Sequence, residues 1–309
     1  MITKSKAIIL DKFSLGENWN WFDYKIPNSK TLQIEGTWQN RFGKLIDNSV
    51  QKIIIDAPNA AVDLGFVEEF PNLKSIGIAS QSIENFDSVK KLNKLEELSV
   101  ISNKNQIINF DIEANLKILS LVWRSKFEIS CLPKRIEYLS IDKGSNINWK
   151  KLLENKNSLL KVELLGCDID SADILFKLKS LRYLSITGCK KIAFDNVANN
   201  TSLRFIDIRE TPLKTLRWIN SLKGIQIICI TTAGNLDTVS NINNKDSIIG
   251  LLIAGNTTIE DGNLSSLETL RNLRNCFIIG KKHYSHKSIE CWNWQNFHLP
   301  KKELLAIKK

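Results

Sequence analysis

The chain has 309 residues, 43% of them hydrophobic, with a formal net charge of +10. No apolar run approaches the roughly 18 residues of a membrane span, which excludes a membrane-spanning helix. Half of the charge lies in the last 29 residues, where seven Lys face Glu290 and Glu303. Such a basic terminus is a solvated end more readily than the uniformly basic face that binds nucleic acid by counterion release.

In chain order, residues 1–28 precede any regular pattern. Ala7 to Leu10 reads as a short strand, and Trp19, Trp21, Phe22 and Tyr24 gather behind Gly16. Bulky aromatics beside a first structural unit would shield its open end, so this segment is expected to be an N-terminal cap. From Ser29 onward one motif recurs: apolar, two variable residues, apolar, one variable, apolar. Its fourth positions fall at Leu32, Ile53, Ile76, Leu98, Leu119, Leu139, Val162, Leu184, Ile206, Ile228, Leu251 and Cys276. Twelve copies with three apolar slots each make 36 slots, and only Ser29 breaks the rule. A fixed period of this kind marks a stack of repeats, each burying its apolar side against its neighbours.

Leu95, Leu98, Val100 and Leu116, Leu119, Leu121 show the motif in its plainest form, Leu-x-x-Leu-x-Leu. The pattern resembles the leucine-rich repeat family, nearest to the 22-residue class with internalin-like repeats, without the surface-anchoring parts. The resemblance implies an α/β solenoid, a leucine-rich repeat coil with a parallel concave sheet and mostly short 3-10 or extended convex segments. It also implies Asn three residues after the last apolar slot. Asn103 and Asn256 fit, whereas other copies carry Gln81, Cys167, Cys189, Thr211 or Ala233. Length alone suggests two domains, but a solenoid grows by adding units. A single coil of about 12 repeats over residues 29–280 is expected, with a cap and basic tail at 281–309.

Return segments of the early copies hold few helix signals, and Pro58 and Pro71 interrupt them. Helical spacing appears in Trp149 to Glu154 and in Ala172 to Leu178, the latter behind the candidate caps Asp170 and Ser171. Beyond Gly280, Trp292, Trp294 and Phe297 mirror the N-terminal aromatics, and Lys302 to Ile307 carries a short helical signal.

Alternation along each strand sends the third, fifth and seventh residues of a copy to the inner face. The early copies place small or polar groups there, among them Lys52, Ser75 and Glu97. The middle copies differ. Tyr138, Lys161, Tyr183 and Phe205 follow one another in the third slot, Glu163 and Asp207 occupy the fifth, Asp142 and Arg209 the seventh, and Trp123 lies just after Val122. Aromatic side chains and Arg dominate the energetic centres of protein interfaces. These nine residues are therefore the candidate contact set, for a protein partner on the concave face of the central repeats.

Catalytic signals are absent from the sequence. There is no phosphate-binding G-x-x-x-x-G-K-[ST] loop, no G-x-S-x-G elbow, and no His in the repeats to activate a nucleophile. His283, His286, Cys291 and His298 could be read as a zinc set, but their spacing matches no standard finger. No enzyme activity, metal or cofactor is expected. Cys131, Cys167, Cys189, Cys229, Cys276 and Cys291 are expected to be thiols, because Met1 to Leu10 does not read as a secretory signal. The resulting expectation is a cytoplasmic, monomeric bacterial interaction module. The competing class is a nucleic-acid binder using Lys301, Lys302, Lys308 and Lys309.

Overall fold

A computed structural model of the chain describes residues 5–10, 30–103, 106–108, 115–123, 127–195, 197–242, 245–286 and 289–290. The aromatic groups expected in the two caps, Trp19 to Tyr24 and Trp292 to Phe297, lie outside the described residues, as do Cys291, His298 and the terminal lysines. The chain divides into two compact units, Met1–Leu152 and Leu153–Lys309.

In the first unit the strands are β1 (Lys6–Leu10), β2 (Lys30–Glu35), β3 (Val50–Asp63), β4 (Ser75–Glu84), β5 (Glu97–Ser102), β6 (Gln106–Ile108), β7 (Ile118–Trp123), β8 (Phe127–Ile129) and β9 (Tyr138–Asp142). Its main sheet runs β1-β2-β3-β4-β5-β7-β9, with β1 antiparallel to β2 and every later pair parallel. β6 and β8 form a small separate pair. β3 and β4 are longer than the repeat requires, and their register breaks between Ala57 and Ala61. Pro58 sits inside that break, where its missing N–H costs no ladder bond.

The second unit repeats the plan with β10 (Lys161–Leu165), β11 (Tyr183–Thr187), β12 (Phe205–Arg209), β13 (Ile227–Thr231), β14 (Asn235–Leu236), β15 (Gly250–Ala254), β16 (Thr258–Ile259), β17 (Asn275–Ile278) and β18 (Ile289–Glu290). Its main sheet runs β10-β11-β12-β13-β15-β17-β18, parallel except for the antiparallel pair β17-β18. The register places Val162, Leu184, Ile206, Ile228, Leu251 and Cys276 side by side.

All twelve anchor positions, in both units, are 0% exposed. Burying an aliphatic side chain of this size contributes roughly 1.5–3 kcal/mol, so the period read from the sequence is also the main source of cohesion. Return segments are short, as expected. They contain single turns at α1 (Asp87–Lys90), α2 (Trp149–Leu153) and α3 (Asp173–Phe176), and 3-10 turns such as Gly65–Glu69 and Arg217–Ser221. Helix is thus not confined to the middle copies, since α1 belongs to an early one. The Ser171 hydroxyl accepts from the Asp173 amide at 3.2 Å at the start of α3, whereas Asp170 takes part through its carbonyl, which accepts from Ala193 N.

The polar ladder expected from Asn is built instead from Thr. Thr211 Oγ1 accepts from Cys189 N at 3.2 Å, and Thr257 Oγ1 accepts from Ala233 N at 3.0 Å. Asn256 is exposed, and its neighbour Thr257 turns inward in its place. Bulky aromatics pack behind the first strands, where Trp38 stacks on Phe66 at 4.4 Å with Phe42 and Phe70 edge-on.

At the far end, residues 281–286 fold back on the last repeats. The Tyr284 hydroxyl accepts from Ile259 N at 2.9 Å, and Ser285 N donates to the Gly262 carbonyl at 2.8 Å. Gly262 has φ +61°, and a Cβ there would stand 2.4 Å from the His283 carbonyl oxygen. Left-handed backbone costs a side-chain-bearing residue roughly 1–2 kcal/mol, and here collision with backbone adds to it. Gly262→Val is expected to lower stability by at least about 2 kcal/mol, read as an earlier denaturant midpoint with unchanged slope.

Candidate functional site

The second unit assembles six of the nine predicted contact residues. Pairing of β10, β11 and β12 sets Lys161, Tyr183 and Phe205 in one column and Glu163, Ser185 and Asp207 in the next, with Thr187 beside Arg209. These side chains lie on the face opposite the anchors because strand neighbours alternate. The Tyr183 and Phe205 rings stack at 4.6 Å with an interplanar angle of 6°. The Lys161 ammonium sits over the other side of the Tyr183 ring, 4.7 Å from its centroid, and reaches Glu163 Oε1 at 3.0 Å. A cation, two aromatic rings and Ile227 therefore follow in sequence across four strands.

Two of the expected contact residues are more enclosed than alternation alone implies. Phe205 is 8% exposed and Asp207 3%. Strands about 4.8 Å apart press the side chains of one face against each other, so a residue flanked on both sides is shielded laterally. Phe205, Ile227, Cys229 and Leu252 form an apolar cluster in this way, with Tyr183, Ile249, Ala254 and Phe277 packed around it. Asp207 is held by Arg209, whose Nε and Nη2 reach its two oxygens at 3.0 and 2.8 Å. The accessible part of the set is Tyr183, Lys161, Glu163 and Arg209, with Leu165 exposed beside them.

Burial and neighbouring charges shift the ionisable groups of this face. Burial pushes the Tyr183 phenol well above its ordinary range, reinforced by Glu163 and Asp207, so it remains a protonated donor. Burial likewise pushes the Cys229 thiol up, which removes it as a thiolate nucleophile. Burial raises the Asp207 carboxyl, with Arg209 opposing. Glu163 and Asp207 stand two rungs apart, each engaged by its own cation, and do not form an acid–base pair.

No protein-family model and no curated protein matches the sequence. Solved structures do. An internalin from Listeria monocytogenes aligns over 80% of this chain and 80% of its own, with 16% identity and a TM-score of 0.53. A leucine-rich repeat protein of Leptospira interrogans aligns over 88% of this chain and 79% of its own, with 13% identity and a TM-score of 0.41. The fold is that of the leucine-rich repeat proteins. The short parallel strands, aliphatic anchors and brief return turns described above are the parts of that fold.

Within this leucine-rich repeat coil, the other three predicted residues belong to the first unit. Tyr138 pairs with Ile118 in the third slot, Asp142 with Val122 in the seventh, and Trp123 ends β7. A charged row of the same unit, noted above among the small and polar groups of the inner face, is buried. Lys52, Ser75 and Glu97 are register partners across β3, β4 and β5, and they are 7, 0 and 2% exposed. Ser75 Oγ donates to Glu97 Oε2 at 2.6 Å. The signal was present, since all three share the third slot, but charged groups on an open face are normally solvated. Of the histidines weighed and set aside as a zinc set, His283 Nε2 lies 2.9 Å from the Ile259 carbonyl and His286 Nε2 lies 3.0 Å from Glu268 Oε1. Among the described residues no helix is long and apolar enough to cross a membrane.

Proposed function

We propose that this chain is a non-catalytic interaction module that binds a protein partner on the inner face of its central repeats. The observation that carries the reading is the Lys161–Tyr183–Phe205 stack, held on adjacent parallel strands and backed by the apolar cluster around Phe205. An aromatic anchor fixed by its neighbours loses little side-chain freedom on docking, which lowers the ordering cost of association. Tyr183 supplies apolar area and a hydroxyl, and Lys161, Glu163 and Arg209 surround it with charge that selects register and partner. Trp123, Tyr138 and Asp142 are the corresponding contacts proposed for the first unit.

The test is affinity capture from the source lysate with wild type and Tyr183→Ala, followed by titration of the recovered prey. Affinity is expected to fall by at least about 2 kcal/mol, roughly thirtyfold in Kd. The fold should lose the ring stack, the Lys161 contact and part of the apolar packing, less than at the more deeply buried Phe205. Phe205 is the poorer probe, because Phe→Ala at a buried position costs about 3–5 kcal/mol of stability and confounds the measurement. Equal prey and equal affinity for both proteins would refute the proposed site.

A further inference from the structure

The turns that lead into the strands of the second unit carry an unbalanced row of cations. Each turn contributes its first residue and the residue just before the strand. Backbone bonds align the latter: Arg204 N donates to Arg182 O, Gln226 N to Arg204 O, Ile249 N to Gln226 O and Arg274 N to Ile249 O, at 2.8–3.0 Å. At these two positions stand Asn157 and Leu160, then Lys179 and Arg182, Thr201 and Arg204, Lys223 and Gln226, Asp246 and Ile249, and Arg271 and Arg274. All six cations except Arg204 are exposed. Among the described residues no carboxylate lies within ion-pair distance of Lys179, Arg182, Lys223, Arg271 or Arg274.

This is not a general property of the repeat. In the first unit the corresponding positions before the strands hold Lys74, Glu96, Lys117 and Glu137, and Lys117 pairs with Glu96 at 2.9 Å. The opposite edge of the second unit, where its strands end, mixes Asp168, Asp170, Glu210, Asp237, Glu260 and Asp261 with Lys190, Lys191, Lys214, Lys281 and Lys282. The excess of positive charge is therefore confined to the edge where the strands begin.

We infer that the cationic edge of the second unit receives an acidic, partly apolar polypeptide segment of the partner that docks on the inner face. The inference rests on the reading of that face as a protein site. Ile249, in the same backbone-aligned row as Arg182 and Arg204, packs against the apolar cluster of the inner face, so the row borders that face. The mixture of groups selects the class of ligand. Ile249, within the row, packs against the apolar cluster of Phe205, Ile227 and Leu252, and Asp246 interrupts the positive charge. A phosphate backbone, charged at every unit, would set an anion against Asp246 and against Ile249. A polypeptide can place a neutral or apolar side chain at both and carboxylates elsewhere. Opposed charge at the rim acts through encounter and orientation, and its effect weakens as salt rises.

The test uses the full chain and three fluorescent probes of about a dozen units: a peptide alternating Glu with Leu, the same peptide with Gln for Glu, and single-stranded oligo-dT. The acidic peptide is expected to bind at low salt and to weaken about tenfold or more in Arg182→Glu/Lys223→Glu. The Gln peptide should bind far more weakly. Lys214→Glu/Arg217→Glu, which makes the same change in net charge away from this edge, should leave binding unchanged. An acidic peptide that fails to bind, equal losses in the two double variants, or oligo-dT binding tighter than the peptide would each overturn the inference. The face is read separately. If Tyr183→Ala leaves peptide binding intact while Arg182→Glu/Lys223→Glu abolishes it, the edge stands and the aromatic site falls.

Discussion

Asn200→Ala is expected to destabilise the protein by about 3 kcal/mol or more, a large effect for one polar side chain. Asn200 is 3% exposed and uses its full amide capacity. Nδ2 donates to the carbonyls of Phe176 at 2.9 Å and Leu178 at 3.0 Å, and Oδ1 accepts from the amides of Ser202 at 2.9 Å and Leu203 at 2.8 Å. Its backbone meanwhile pairs forward, N to Ser221 O and O to Lys223 N. The side chain thus closes the carbonyl end of α3 in the preceding repeat while the main chain holds the following one. Truncation leaves buried carbonyls and amides without partners, at roughly 1–3 kcal/mol for each unsatisfied group. Asn200→Asp keeps the acceptor but loses both donors and sets a carboxylate against two carbonyl oxygens, so it should be no better than Ala. Denaturant melts of the two variants beside Asn157→Ala, an exposed turn residue, check this. A loss below about 1 kcal/mol for Asn200→Ala would mean that water or a relaxed turn takes over these bonds.

How far the molecule was legible follows from which interactions repeat. The aliphatic anchors recur at the period of the coil, so one strand's pattern predicts the next, and burial at every anchor confirms it. Asn200 was not read, although a signal existed: the same position, just before the turn, holds Leu178, Leu222 and Leu270 in other copies. A polar residue in an apolar row announces buried groups that need a partner, but only the structure shows that these are the carbonyls at the end of α3. The inner face was legible as columns and not as burial. Alternation says which side of a strand Phe205 occupies; how far Tyr183 and Ile227 close over it depends on ring size and spacing between strands. Arg209 illustrates the same limit, because sequence placed it beside Asp207 but could not show its guanidinium covering both carboxylate oxygens.

The row Lys52, Ser75 and Glu97 yields the second large effect, because single and double replacement there should act in opposite directions. Burial lowers the Lys52 ammonium and raises the Glu97 carboxyl, while each charge, with Ser75 on Glu97, partly restores the other. Lys52→Met removes the balancing cation and leaves a buried carboxylate held chiefly by Ser75, a change that typically costs about 3–5 kcal/mol. Lys52→Met/Glu97→Gln removes both charges and keeps a hydrogen-bonding group for Ser75, so its stability at neutral pH should match or exceed wild type. The pH dependence separates charge from packing. A carboxyl whose folded pKa lies above its unfolded value binds its proton more tightly in the folded state, so stability falls as pH rises from the unfolded pKa through the folded one. The penalty in Lys52→Met is therefore full above the raised value and relieved on acidification toward 4.5, the ordinary value for Glu. Urea melts at several pH values should show the deficit of Lys52→Met shrinking in acid, with the double variant lacking that dependence. A deficit that stays constant with pH would assign the loss to the lysine stem's packing and not to its charge.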